Sequence, residues 1–409
     1  MSTSLILANA RVITADGTDP VENAFIRVDG SRISRISRTP IQSTDAKVID
    51  CTGMTVIPGL IDAHTHISAG DYLNKVHLLP TAVNAARGFR ALSECLDYGI
   101  TTVRDAGFTD YGFKQAVLEG SAEGPRMHLA IAPLSQTGGH SDFRTREEDD
   151  YRQADGIYHP GMVADGPDAC RRAAREVLRR GADQIKIMAS GGCTSPTDSV
   201  DHTQFTDEEM RAIVYEARAQ EKYVMAHAYT PQSILACVAA GIRSIEHGNG
   251  VDEEAADAMR ESGTFAVPTV ATYELLLRDG LAGGMPEDQV TMVKKVLGTA
   301  YEALEILKDR GVKIASGSDV LGPHQGYKTY ELELKARVLG ALGALEASTR
   351  TNAELIGMDQ DLGTITEGKL ADLVVLSRDP LADITVLQDK STFQLVLSEG
   401  RILRDRRNA

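Results

Sequence analysis

Eight short apolar segments recur through the middle of this 409-residue chain, and most are separated by helical stretches. In order they read IDAHTHI, TTVRDAG, MHLAIAPL, QIKIMAS, YVMAHAY, RSIEHGN, TFAVPTV and VKIASGSD. The stretches between them, such as DACRRAAREVLRRGAD, are typical of helices. Eight strand–helix units in succession predict an α/β fold with a closed parallel barrel of the (β/α)₈, or TIM, type. An open doubly wound sheet is the alternative, but no G-x-G-x-x-G motif follows an early strand.

Both chain ends depart from this period. Residues 1–57 and 364–409 contain short apolar strands separated by turn residues, which is typical of small antiparallel β units. Because chain termini often lie close together, we expect the two ends to form one small β-sandwich-like domain beside a barrel of residues 58–363. The long connection Gln136–Gly166 lies between the third strand and its helix, and loops of that length are usually lids or binding segments.

Charge and cysteine usage restrict the class of protein. The chain has 43 Lys+Arg and 58 Asp+Glu, a formal net charge of −15, which argues against nucleic acids and anionic membranes as partners. The five cysteines are widely spaced and contain no C-x-x-C pair, which disfavours disulfides and a thiolate zinc site. No apolar segment approaches the ~20 residues needed to span a membrane. We therefore expect a soluble, cytoplasmic protein.

Five of the eight predicted strands end with a possible metal ligand. His64 and His66 are separated by one residue, so strand alternation directs both imidazoles to the same side, where they can bind one ion. His227 and His247 end successive strands and suit a second ion. Asp319 ends the eighth strand, where a carboxylate can bind metal and also accept a proton from water. Since the carboxyl ends of barrel strands form the active-site face, these residues predict a two-metal site.

Lys186 lies in the fourth predicted strand, QIKIMAS, and requires a separate argument. A lysine directed into a barrel is costly unless it is paired or modified, and an ammonium group has no lone pair for a cation. Carboxylation of its amine by CO₂ would give a carbamate that can bridge two ions ~3.5–4 Å apart. We expect Lys186 to be N-carboxylated.

Weaker candidates surround these positions. Tyr229 follows His227 by two residues and so faces the same side, and His140 lies in a glycine-flanked loop at the expected barrel mouth. His324 and Tyr273 are possible substrate contacts on other loops, although loop histidines are usually exposed and tyrosines often only pack.

Three polar residues have structural interpretations instead. Arg104 and Asp105 are expected to form an internal ion pair that supports the barrel. Cys193 has no histidine or asparagine partner at a recognisable spacing and is interpreted as a small loop residue.

Taken together, PGLIDAHTHI, the strand-four lysine, the later strand-end histidines, SGSD and the closing TITEGKLADLVVL resemble the amidohydrolase superfamily over essentially the whole chain. The segments MASGGCTSPTDSVDHTQFTDEEMRAIVYEA and YVMAHAYTPQSI resemble prolidases and related metal-dependent carboxypeptidases, the imidazolonepropionase-like branch. Two features depart from that pattern, GSD in place of GTD and the loop GPHQGYKTYELEL in place of a simpler PHG.

The resemblance implies a zinc centre of two ions bridged by carboxylated Lys186. His64 and His66 would hold one ion, and His227 and His247 the other. Asp319 would move the proton during catalysis, while His140 and Tyr229 would hold the substrate carboxylate or the polarised carbonyl oxygen. Homo-oligomers are common among such relatives.

The implied reaction is cleavage of the amide bond to a C-terminal amino acid in dipeptides or N-acyl amino acids, with Xaa-Pro or another apolar residue favoured. Alternatives are a carboxypeptidase for Xaa-Arg or Xaa-Lys, a hydrolase of bulky amides such as ochratoxin-like compounds, and a cyclic-amide hydrolase. Candidate pocket walls are Phe143, Tyr273, Tyr327 and His324. The carboxylates that could turn inward to bind a cationic side chain are Glu274, Glu331 and Asp142. A non-catalytic binding barrel would lack the ligand set, and a transcriptional or structural role would need a basic face or repeats.

Overall fold

The computed structural model describes residues 4–71, 73–76, 78–149 and 157–407. Part of the long connection predicted at residues 136–166 therefore lies outside the described residues. The strands are β1 (Ser4–Val12), β2 (Val21–Asp29), β3 (Arg32–Ser37), β4 (Ala46–Asp50), β5 (Thr55–Pro58), β6 (Leu60–Thr65), β7 (Ile100–Asp105), β8 (Arg126–Leu129), β9 (Leu134–Ser135), β10 (Met162–Val163), β11 (Ile185–Met188), β12 (Val224–Ala228), β13 (Ser244–His247), β14 (Phe265–Val267), β15 (Leu373–Leu376), β16 (Phe393–Ser398) and β17 (Arg401–Asp405). The helices are α1 (Leu73–Val76), α2 (Thr81–Asp97), α3 (Tyr111–Leu118), α4 (Pro167–Arg179), α5 (Asp207–Arg218), α6 (Pro231–Ala240), α7 (Glu253–Ser262), α8 (Val270–Asp279), α9 (Glu287–Asp309), α10 (Tyr330–Glu346) and α11 (Asn352–Leu355).

The central part of the chain is the predicted (β/α)₈ barrel. Parallel pairing runs from β6 through β7 to β8, and from β9 through β11, β12 and β13 to β14. The third barrel strand is interrupted, because β8 and β9 are separated by four residues. The side chains between this barrel and its helices form the largest apolar core of the molecule.

The eighth barrel position departs from the prediction. VKIASGSD is not a continuous strand but makes one parallel bridge, between Ile314 and Ala266. Backbone bonds from Ala63 N to Ser316 O (2.9 Å) and from Asp319 N to the carbonyl of β6 (2.8 Å) still close the barrel. Gly317 lies against β6, where a Cβ would be 2.4 Å from the side chain of His64, so a residue without a side chain is required. This segment therefore passes very close to the first strand.

The two chain ends form one mixed sheet, ordered β17-β16-β15-β5-β1-β2-β3, with β4 also paired to β1. The antiparallel unit expected for residues 1–57 is only partly correct, since β1 runs parallel to β4 and to β5. β1 is nine residues long, so its first half pairs with β4 and its last residues with β5. Apolar residues of both ends share one buried cluster that includes Leu7, Ile26 and Leu395. The domain boundaries at residues 57 and 363 remain predictions.

Local sequence signals set the helix ends around the barrel. Thr206 and Thr230 cap α5 and α6 with their own side chains, accepting backbone N–H groups of the first turn. Gly241 and Gly263 end α6 and α7 in the left-handed region, with φ of 85° and 73°. The threonine caps fix where loops at the barrel mouth end, and the glycines fix where loops at the opposite end of the barrel begin.

No helix in the described part of the chain has the length and apolar character required to cross a membrane. All five cysteines are buried and free.

Candidate metal centre

His64, His66 and Asp319 lie together at the carboxyl end of the barrel. One potential ligand atom from each residue lies within 4.8 Å of the other two. Asp319 Oδ1 is 3.3 Å from His66 Nε2 and 3.7 Å from His64 Nε2. His66 Nδ1 donates to a backbone carbonyl at 3.1 Å, which leaves the lone pair of its Nε2 directed at the cluster. The three side chains can therefore converge on one cation.

A buried carboxylate connects the first and eighth barrel positions. Asp62 Oδ1 accepts the backbone N–H groups of His64 and Ser318 at 3.2 and 3.0 Å. Its Oδ2 accepts the Ser318 hydroxyl at 2.6 Å. The next residue, Asp319, has a φ of 52°, a left-handed conformation that is strained for a non-glycine residue. The Asp62 contacts thus hold the backbone that turns Asp319 toward the histidines.

His227 and His247 stand beside this cluster. The ring centroid of His247 is 4.6 Å from that of His227 and 5.1 Å from that of His64. His227 Nε2 donates to a backbone carbonyl at 3.0 Å, so its Nδ1 carries the free lone pair. His247 Nδ1 lies 2.8 Å from Thr269 Oγ1, which leaves Nε2 free. Each imidazole is therefore fixed by one nitrogen and offers the other, as metal-binding histidines do.

Glu246, which the sequence analysis did not single out, also belongs to the candidate site. Its carboxylate accepts His64 Nδ1 at 2.7 Å, Arg104 Nη2 at 2.9 Å and the Ser244 hydroxyl at 2.6 Å. Strand alternation would direct Glu246 and His247 to opposite sides. His247 instead has a φ of 71°, which breaks the alternation and lets both side chains reach the barrel interior. The available signal in the sequence was a glutamate immediately before a strand-end histidine.

Lys186 on β11 is buried among these groups. Burial lowers the pKa of its ammonium from 10.5 to about 8, although the nearby carboxylates of Glu246 and Asp319 oppose the shift. A larger fraction of its amine is therefore neutral near pH 8 than for an exposed lysine. A neutral amine is the form that can react with CO₂.

The protonation states in the metal-free protein suit metal binding. Burial holds the pKa values of His64, His227 and His247 well below their usual 6.5, so these imidazoles are neutral at pH 7. Burial raises the pKa of Asp319, but the adjacent His64 and His66 more than offset this, and the net pKa is lowered. A set of neutral imidazoles and an ionised carboxylate has the lone pairs that a divalent ion requires.

A cavity of about 540 Å³, including its open mouth, lies above these residues. All six predicted ligands line it, namely His64, His66, Lys186, His227, His247 and Asp319. Its apolar walls are Phe108, Phe143, Met188, Leu276 and Leu321. Among the described residues that line this cavity, Asp319 is the one carboxylate.

His140 also lines the cavity, stacked on His227 with ring centroids 4.4 Å apart. Its Nδ1 lies 2.9 Å from Ser195 Oγ, so the loop after β11 fixes the ring. A Cβ at Gly192 would lie 1.9 Å from the His140 ring, and only glycine allows this approach. Gly192, in the loop after the strand-four lysine, therefore makes room for His140.

Tyr229 and Tyr273 form a hydroxyl pair on another wall, 2.6 Å apart. Burial raises the pKa of both phenols well above 10, so both remain protonated. Cys193 Sγ lies 3.9 Å from Tyr229 Oη and lines the same cavity, while burial raises the pKa of its thiol to about 12. The thiol forms part of the cavity wall and is not an activated nucleophile, as the sequence indicated.

Other predicted residues lie elsewhere. His324 is buried outside the cavity lining, with Nε2 3.0 Å from Asp279 Oδ2, and Tyr327 is 40% exposed. Both are on a short 3₁₀ segment behind the end of α8. The geometry therefore gives no support to a substrate contact by His324 or to a pocket wall at Tyr327.

The carboxylates weighed for a cationic substrate are already engaged. Asp142 pairs with Arg144, and Glu331 pairs with Lys335. Glu274 accepts a tyrosine hydroxyl at 3.2 Å. None of the three lines the cavity.

The expected ion pair between Arg104 and Asp105 is wrong. Arg104 forms its buried pair with Glu246 across the barrel interior. Asp105 accepts the backbone N–H of Ile67 at 2.7 Å and the Thr109 hydroxyl at 2.8 Å. Adjacent strand residues face opposite sides, which explains why these two do not meet.

Comparisons with known proteins agree with this geometry. The sequence model of the amidohydrolase family matches residues 55–403. Ochratoxinase from Aspergillus niger is 29% identical over 411 aligned residues, covering 96% of this chain and 85% of that protein, and its crystal structure superposes with a TM-score of 0.90. A prolidase crystallised with N-methylphosphonate-L-proline is 41% identical, with a TM-score of 0.94 over 98% of this chain and 100% of that chain.

A Xaa-Pro dipeptidase with methionine bound in its active site is 28% identical, with a TM-score of 0.88 over 98% of this chain and 100% of that chain. The family match spans most of the sequence, and the superpositions span nearly all of it. The chain therefore belongs to the amidohydrolase family and is a metal-dependent hydrolase of amide bonds.

Proposed function

We propose that this enzyme uses two divalent metal ions to cleave the amide bond to a C-terminal amino acid with an apolar side chain. Its substrates are dipeptides, with Xaa-Pro favoured, and N-acyl amino acids. The observation that carries the proposal is the cavity itself, where histidines and one aspartate form the floor and apolar or neutral side chains form the walls.

The donor set fits two ions. His64 and His66 would hold one ion, His227 and His247 the other, and Lys186 would bridge them as a carbamate, with Asp319 as a further ligand. The support is that each imidazole is fixed by one nitrogen and presents the other. Zinc suits such nitrogen and oxygen ligands. When bound, the ions lower the pKa of a water and polarise the scissile carbonyl.

Asp319 is proposed to move the proton. Its lowered pKa keeps the carboxylate ionised at neutral pH, so that Oδ1 or Oδ2 can accept a proton from the attacking water. The same oxygen then delivers that proton to the departing amine, which cannot leave as an amide anion. No covalent intermediate is needed, in keeping with the raised pKa of the Cys193 thiol.

Tyr229 and His140 are proposed to bind the substrate. The Tyr229 phenol stays protonated and can donate a hydrogen bond to the carbonyl oxygen as it gains negative charge. His140 stacks on His227, lines the cavity and can contact the substrate carboxylate. Tyr273 orients Tyr229 through the 2.6 Å contact between their hydroxyls.

The preference for an apolar C-terminal residue follows from the cavity walls. A lysine or arginine side chain needs a buried carboxylate partner, and the described residues that line the cavity include none besides Asp319. The similarity to a prolidase bound to a proline phosphonate supports the same preference.

A second candidate is hydrolysis of bulky aromatic N-acyl amino acids, including ochratoxin-like amides of phenylalanine. Phe108 and Phe143 are neighbours, with ring centroids 6.1 Å apart, and both line the cavity. Aromatic rings there can stack on an aromatic acyl group. The similarity to ochratoxinase favours this candidate for the same site.

A substrate panel tests the proposal. We would measure kcat/KM for Ala-Pro, Ala-Phe, Ala-Arg and Ala-Lys, for the N-acetyl forms of the same residues, and for an aromatic N-acyl phenylalanine. We expect activity on the apolar members, at least 10²-fold above the Arg and Lys members. Activity confined to Xaa-Arg and Xaa-Lys would contradict the apolar preference, and activity only on cyclic amides or lactones would contradict the whole proposal.

A variant separates the two candidates. Phe143→Ala should lower kcat/KM for the aromatic N-acyl substrate about tenfold, because one stacking wall is lost, and should leave Ala-Pro within about threefold. Equal losses on both substrates would argue against an acyl-binding role for Phe143.

A further inference from the structure

Two oppositely charged side chains of α10, Glu331 and Lys335, are buried outside the cavity, at 1% and 0% exposure. They form an ion pair with each other. Burying two charges costs more free energy than an exposed pair, and an apolar pair of similar volume often stabilises a fold equally well. A role beyond stability would explain why such a pair is present here.

The start of α8 shows what the pair contacts. Thr269 occupies the N-cap position of α8, yet its side chain makes no cap hydrogen bond. The equivalent threonines of α5 and α6, Thr206 and Thr230, both cap their helices with their own side chains. Thr269 Oγ1 instead lies 2.8 Å from His247 Nδ1. The hydroxyl that would cap the helix is therefore used to fix an imidazole of the metal centre.

Glu331 supplies the missing cap from another helix. Its Oε2 accepts the backbone N–H of Ala271, in the first turn of α8, at 2.7 Å. A carboxylate at a helix N-terminus also interacts favourably with the helix dipole. Lys335 Nζ donates to the carbonyl of Pro268 at 2.6 Å, on the other side of Thr269. The pair thus holds Pro268, immediately before Thr269, and Ala271, two residues after it.

We propose that Glu331 and Lys335 are positioning residues for the metal centre, which act through Thr269 to orient His247 and, through α8, to place Tyr273 in the cavity. Neither side chain touches the substrate. The inference rests on the proposed metal site, but not on the identity of the substrate.

The first test uses zinc affinity, measured on metal-free protein by competition with a chromophoric chelator. Glu331→Gln should weaken zinc binding about 10- to 100-fold, the range typical of residues that orient metal ligands. The absorption spectrum of the Co²⁺-loaded protein should also change, because a reoriented His247 would alter the ligand field at the ion. The matched control is Glu333→Gln on the same helix, whose i,i+4 pair with Arg337 is partly exposed. The control should bind zinc as the parent does.

A double-mutant cycle tests whether the effect passes through Thr269. Thr269→Val keeps the shape and removes the hydroxyl. If Glu331 acts through Thr269, the double variant should lose no more zinc affinity than the worse single variant. If the losses of zinc affinity in the two single variants multiplied in the double variant, the proposal would be overturned. Unchanged zinc affinity and Co²⁺ spectrum in Glu331→Gln would also overturn it.

A third variant guards against simple unfolding. Glu331→Leu combined with Lys335→Met replaces the pair by apolar groups and should keep the melting temperature within a few degrees. We expect its zinc affinity to fall as in Glu331→Gln, and unchanged affinity in this folded variant would overturn the proposal. These assays use no substrate. If Glu331→Gln weakened zinc binding as expected but the enzyme hydrolysed none of the amino-acid amides, only the proposed reaction would be contradicted.

Discussion

Substitution of Glu246 tests whether its contacts hold His64 in position and stabilise the fold. The carboxylate accepts His64, Ser244 and two contacts from Arg104, and both charged groups are fully buried. Glu246→Gln preserves the size of the side chain but removes its charge. Arg104 then remains buried without a counter-charge, and breaking such a pair costs about 3–5 kcal/mol.

The same substitution acts on metal binding. The new amide has an NH₂ group in place of one acceptor oxygen, and this group faces the N–H donors of Arg104 or of both Arg104 and His64, depending on how the amide is turned. If His64 is no longer held, zinc affinity should fall about 10- to 100-fold. Two independent effects are therefore expected from one substitution, on the free energy of unfolding and on metal affinity.

Urea unfolding of the metal-free protein and chelator competition measure these two effects. Glu209→Gln is the matched control, since Glu209 is also a buried carboxylate but caps α5, with no contact to the metal centre. It should cost about 1 kcal/mol and leave zinc affinity unchanged. If Glu246→Gln matched the parent in both the urea midpoint and zinc affinity, the assigned role of Glu246 would be refuted.

Three further outcomes are expected. Lys186→Ala should lose most activity and recover part of it with short carboxylic acids that replace the carbamate, measured as initial rate against acid concentration; no recovery at any concentration would count against the bridge. Asp319→Asn should fold and retain much of its metal but lose about 10²- to 10⁴-fold in kcat, and near-normal turnover would exclude the proton role. At a fixed concentration of dissolved ¹³C-labelled CO₂, the carbamate NMR signal of the metal-free protein should rise between pH 7 and 9, because burial lowers the pKa of Lys186 to about 8 and its neutral fraction grows through that range; a rise confined to pH above 10 would contradict this.

The periodic pattern of the sequence was sufficient to predict the barrel. Apolar segments separated by helices specify strand order, because each unit must bury one face on its neighbours. Strand pairing between segments far apart in the sequence was harder to predict. Strand β1 pairs with β4 and β5 in parallel, which depends on where the intervening hairpin folds and not on any local residue. Likewise, the local sequence did not show that the eighth position forms one bridge to β14 in place of a continuous strand.

In the candidate site, too, local patterns predicted some features, and others depended on details of the folded backbone. Histidines at strand ends could be placed at one face from alternation and topology alone, and the structure brings all six predicted ligands to one cavity. Their ligand roles remain predictions. Contacts that depend on a single dihedral angle were beyond such reasoning, as with Glu246 beside the left-handed His247. His324 was also misleading, because its partner Asp279 lies 45 residues away in sequence on another helix.

Titration of the metal-free enzyme with zinc in the presence of bicarbonate, with activity on Ala-Pro and bound metal followed together, tests the two-metal site. Activity should reach its maximum at two equivalents of tightly bound zinc per chain. Full activity at one equivalent, or in protein shown by elemental analysis to hold no metal, would contradict a two-metal hydrolase built on His64, His66, His227 and His247.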